Sequence, residues 1–93
     1  MVTTTKPLDI AEYLETDEDI AGFLNDMLTD GSPAEFRAAL SIAARARGMA
    51  DIAKKANVTR ASLYKSLSET GEPRFDTIRK VIDALGMKLV VTA

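Results

Sequence analysis

Thr59, Arg60, Ala61, Tyr64 and Lys65 crowd into one short stretch, and together they have the chemistry to recognise a nucleic acid. An arginine guanidinium can hold guanine O6 and N7 through two hydrogen bonds. Lysine and tyrosine reach a base edge or a phosphate, and alanine lets a helix sit deep in a groove or touch a thymine methyl. Threonine is a good helix cap, and its hydroxyl can also reach a phosphate. A helix N-terminus attracts that anion through free N–H groups and the dipole. The rival reading is that Arg60 and Lys65 are ordinary solvated charges, and it must be weighed against what surrounds them.

Other chemistry is poorly supplied. The chain has no His and no Cys, which removes imidazole acid–base work, thiolate ligands, a disulfide framework and the usual zinc sites. It has no glycine-rich phosphate loop, and its carboxylates fall at expected caps or solvent faces. Neither an enzyme nor a cofactor or metal is expected.

The five residues need an element to present them. Residues 49–67, MADIAKKANVTRASLYKSL, read as two short helices joined by a tight turn at Asn57-Val58. Ile52 and Ala53 lie on the first helix. Leu63 and Leu67 form the inner side of the second, and the five residues its start and outer side. This pattern suits a helix-turn-helix that offers its second helix to a major groove. Arg45, Arg47, Lys54 and Lys55 flank it and suit phosphates, with Arg74, Arg79 and Lys80 as further candidates.

The rest of the chain frames that motif. Ninety-three residues, 46% hydrophobic and 28% charged, predict one globular domain, 1–93. Thr3–Thr5 could form a brief strand. Residues 8–14 predict a turn or short helix docked on the body, with Tyr13 as a packing anchor. Thr16 caps a helix with acids in its first turn, and Ile20, Phe23, Leu24, Met27 and Leu28 line one face of it. Gly31 is expected to end it in a left-handed conformation. Ser32-Pro33 starts a second helix with Glu35 completing a capping box, an inner stripe of Phe36, Ala39, Leu40, Ala43 and Ala44, and a stop at Gly48. Residues 68–73 are a loop. A last helix, 75–85, carries Phe75, Ile78, Val81, Ile82 and Leu85 inward. The β-branched run at 88–92 predicts a short strand, which must pair with Thr3–Thr5, with its own copy or with a partner. The expected fold is all-α, five helices with a short C-terminal β-strand: an acidic helical part at 8–31, a DNA-binding core at 32–86 and the strand at 88–92.

Charge divides along the same line. Residues 1–35 hold nine acids and one base, net −8, and residues 36–93 hold eleven bases and five acids, net +6, so that the overall −2 conceals a basic half. The two sections are expected to meet different partners, although both could be plain solvated faces. No apolar run approaches the ~20 residues of a membrane span, and the N-terminus has no apolar signal core. A cytoplasmic protein is expected.

These residues carry a family resemblance. Ile52 through Leu67 resembles the helix-turn-helix of Xre/Cro-type repressors, with Asn57 where glycine often stands in the turn; asparagine tolerates the left-handed conformation. The series LDIAEYL (8–14), DIAGFLNDML (19–28) and ARARGMADIAKKANVTRASLYKSLSETGEPRFDTIRKVIDALGMKL (44–89) resembles the addiction-module antidote family, the antitoxins of type II toxin–antitoxin systems. The resemblance implies a cognate toxin of RelE/ParE-like fold encoded nearby, neutralised by direct contact, and repression of the shared operon by a homodimer on operator DNA. The acidic half suits a basic toxin, with Glu12, Glu15, Asp17, Glu18 and Asp19 as candidate contacts. Paired operator half-sites ~34–36 Å apart call for two copies, with Ile78, Leu85, Leu89 and Val91 as candidate dimer contacts. The alternatives are a stand-alone Xre-type regulator with no toxin and an interaction module without DNA binding.

Overall fold

Two reciprocal caps start the first two helices. In the computed structural model, which describes residues 9–68 and 70–93, Thr16 Oγ1 accepts from the Asp19 N–H at 3.1 Å, and the Asp19 carboxylate accepts from the N–H groups of Thr16 and Glu15. Ser32 and Glu35 repeat the arrangement. Each box satisfies amide groups that a helix start leaves without partners. Helix α1, Asp17–Asp30, and helix α2, Pro33–Arg47, follow from these caps. A single 3₁₀ turn, Ile10–Tyr13, precedes α1 and docks on α2.

Gly31 joins the two helices, and not in the expected way. Its backbone is extended, at φ −93° and ψ 162°, because Ser32 begins the next cap at once. Glycine is needed there for room: a Cβ would lie 2.7 Å from the Met27 carbonyl oxygen that the Gly31 N–H is bonded to. Gly48 does take a positive φ, 99°, between α2 and α3, where a side chain would be strained.

Three further helices complete the body: α3 Met49–Lys55, α4 Arg60–Ser66 and α5 Phe75–Ala84. Each of the five helices sends one bulky side chain to the centre with at most 1% exposure: Ile20, Leu40, Ile52, Leu63 and Val81. Helix α2 is the hub, packing on the 3₁₀ turn, α1, α3 and α5. Its buried Ala39, Ala43 and Ala44 allow those approaches. No helix among the described residues is long and apolar enough to cross a membrane.

Four further expectations fail. Tyr13 is 65% exposed, and Leu14, one residue on, is the anchor that docks. Leu28 is half exposed: eight residues after Ile20 it has drifted about 80° around the helix, off the inner face. Phe75 is 66% exposed, because α5 enters the core only from Ile78 onward and is fully buried at Val81. Finally, residues 88–92 form no strand, and none is present among the described residues. A strand exists only with a partner, and the described residues supply none to this segment. The suggested strand at Thr3–Thr5 lies outside the described residues.

The caps make a pH prediction. Hydrogen bonds from the Thr16 and then the Glu15 N–H hold the Asp19 carboxyl below its ordinary value, and the Ser32 N–H does the same for Glu35. A lowered folded-state pKa stabilises fully above the unfolded-state value, and that contribution is lost as pH falls through the folded value. Asp19→Asn with Glu35→Gln is therefore expected to lower the melting temperature at neutral pH. The difference from wild type should shrink as pH drops below about 4, in thermal melts followed by circular dichroism.

Candidate nucleic-acid interface

The turn that sets α4 in place is built from the backbone. Helix α3 ends at Lys55, with Ala56 as its C-cap. The Asn57 N–H then donates to the Lys54 carbonyl at 3.1 Å and the Val58 N–H to the Ala53 carbonyl at 3.0 Å. This pair of bonds is a Schellman motif, which needs a left-handed residue at its corner. Asn57 supplies it at φ 59°, the sole non-glycine residue with positive φ among those described. Val58 turns inward and packs on the core. Thr59 then caps α4, its Oγ1 accepting from the Ser62 N–H at 3.0 Å.

Helix α4 is held mainly from one side. Leu63 is buried within it and Leu67 just after it, and its principal packing partner is α3. Arg60, Ala61, Tyr64 and Lys65 are consequently exposed together on the outer side. The Arg60 guanidinium lies over the Tyr64 ring, 5.7 Å from its centroid, a cation–π contact that favours one orientation of the arginine. The face thus combines a cation stacked on an aromatic ring, a second cation, an aromatic hydroxyl and a small residue.

The flanking bases divide. Lys54 is exposed on α3. Arg45 is bonded to Asp9 at 3.3 Å, and Arg47 to Asp17, contacts spanning 36 and 30 residues. Lys55 pairs with Asp51 at 3.1 Å. Arg47, Asp17, Asp51 and Lys55 share a polar depression with the end of α5, a lining that contains no α4 residue. Arg74, Arg79 and Lys80 are exposed along the start of α5.

Among the candidate toxin contacts, Glu12, Glu15 and Glu18 are exposed. Asp17 is held by Arg47, and Asp19 by the cap of its own helix. Among the candidate dimer contacts, Leu85 does not qualify: it is 5% exposed, packed within the chain's own core. Ile78 is half-buried, while Leu89 and Val91 are exposed. The ion pairs from Asp9 and Asp17 to α2 had no signal in the sequence beyond opposite charge. No group of three or more metal-ligating side chains that could hold an ion occurs among the described residues.

The turn itself can be probed. Asn57→Val places a β-branched residue at positive φ and is expected to cost about 1–2 kcal/mol in urea unfolding. Asn57→Gly keeps the corner accessible and should change stability far less.

Comparison with known proteins supplies the context for this face. The chain matches, over residues 4–93, the sequence model of a family described as probable addiction module antidote protein. An uncharacterized protein of Haemophilus influenzae is 41% identical to it over 91 residues, which is 98% of this chain and 94% of that protein. No solved structure matches the chain. With the family match running almost from end to end, the chain belongs to the probable addiction module antidote proteins.

Proposed function

We propose that the protein is a DNA-binding antitoxin: it represses its own operon as a dimer and neutralises a RelE/ParE-like toxin by direct contact. The observation that carries the DNA reading is the exposed outer side of α4, with Arg60, Ala61, Tyr64 and Lys65 displayed together while Leu63 and Leu67 anchor the helix. Arg60 reads a base edge, preset by Tyr64. Lys65 and Lys54 take phosphates, and Thr59 keeps its cap while the N-terminal turn of α4 approaches the backbone. Membership of the antidote family supports the toxin-neutralising half of this reading. The exposed carboxylates of Glu12, Glu15 and Glu18 offer a basic toxin its complement.

A gel shift on the DNA upstream of the gene tests the DNA half. Wild type is expected to bind, and Arg60→Ala with Lys65→Ala to bind at least about tenfold more weakly, since one bidentate base contact is worth roughly 1–3 kcal/mol. Lys54→Ala should flatten the salt dependence by about 0.9 in log K per log salt, as for one lost phosphate contact. No shift by wild type, or an unchanged shift by the double variant, rejects DNA reading through α4. Co-expression with the product of the adjacent gene, followed by co-purification, tests the toxin half independently.

A further inference from the structure

Leu28, Phe75 and Leu89 border one apolar groove between α1, α2 and α5, and Phe75, Leu89 and Val91 border a second, of about 510 Å³, against α5. These side chains are between 37% and 99% exposed. An apolar face of this kind marks a place where something docks. Three features identify the occupant as another copy of the chain.

First, Val90, Val91 and Thr92 are β-branched, and residues 88–92 form neither helix nor strand. Among the described residues, no backbone hydrogen bond reaches 88–93. Amide and carbonyl groups that no other described residue engages are suited to another chain in extended form. Second, the segment is complementary to itself. Two copies run antiparallel about Val90 would set Val90 against Val90 and Leu89 against Val91. Leu89 and Val91, two residues apart, share a face of an extended chain, so both copies would lay that face on α5. Third, the charges around the second groove are mixed: Arg79 and Lys88 against Asp83. A two-fold contact needs such a self-complementary set, whereas a partner of one dominant sign would meet a like charge on one side.

We infer that this face is the docking surface for a second copy, with residues 88–92 of the two chains lying antiparallel about Val90 and covering Phe75 and Leu89. The inference rests on the two-copy reading proposed above and gives it a surface.

Sedimentation at tens of micromolar decides both. Wild type is expected to run as two chains. Val90→Lys with Val91→Lys is expected to run as one, with unchanged helical circular dichroism because both positions are exposed. Phe75→Lys, in the groove, should do the same. Val90→Cys gives the chain its only thiol. It should crosslink to its own copy under mild oxidation, because opposed residues in an antiparallel pair bring their Cα atoms within about 4.5–5.5 Å, inside disulfide range. A one-chain wild type overturns the surface and the two-copy reading together. A two-chain mass that survives both lysine variants overturns the surface alone. A two-chain Val90→Cys protein that fails to crosslink overturns the antiparallel pairing about Val90.

Discussion

Close packing along α2 is the constraint on which the rest of the molecule depends. Leu40 is wholly buried, and Ala39, Ala43 and Ala44 beside it are small enough to let other helices come near. The 3₁₀ turn, α1, α3 and α5 all rest on this one helix. A larger side chain at Ala43 or Ala44 would push apart elements that meet at a close-packed centre, where added volume typically costs about 1–3 kcal/mol. In a chain of this size few other contacts could compensate.

Helix α4 stands outside that arrangement, and its position leaves one side of it uncovered. It has seven residues, leans chiefly on α3 and is set by the Asn57 corner and the Thr59 cap. Leu63 fastens it to the core, which leaves the opposite side open to a partner. A helix so short is held by tertiary contacts more than by its own hydrogen bonds. The display of Arg60, Tyr64 and Lys65 is therefore a property of the whole fold.

The charge division is less clean in space than along the chain. Asp9 and Asp17 of the acidic section reach Arg45 and Arg47 at the end of α2. Partly exposed pairs of this kind contribute about 0–1 kcal/mol each, so they matter less for stability than for which charges remain available. They withdraw two arginines from the basic surface and one acid, Asp17, from the candidate toxin contacts. Of the exposed bases of α3 and α4, Lys55 is paired with Asp51, which leaves Lys54, Arg60 and Lys65; of the candidate toxin contacts, Glu12, Glu15 and Glu18 are the acids not engaged by Arg47 or a cap.

Much of this architecture was legible in the residues. The caps at Thr16, Ser32 and Thr59, the helical stripes, the left-handed Asn57 and the outward face of α4 all follow from local rules, because each depends on neighbours within about four positions. What the sequence by itself determined is this set of helices, their inner faces and the family to which the chain belongs. The tertiary structure decided which apolar residues stay uncovered, Tyr13, Leu28 and Phe75 among them; that Leu85 is interior; that residues 88–92 form no strand with the other described residues; and that two acids and two arginines, 36 and 30 residues apart, close on each other. Periodicity places a side chain on a face. Whether another element reaches that face, or a charge finds its opposite, depends on how distant segments pack.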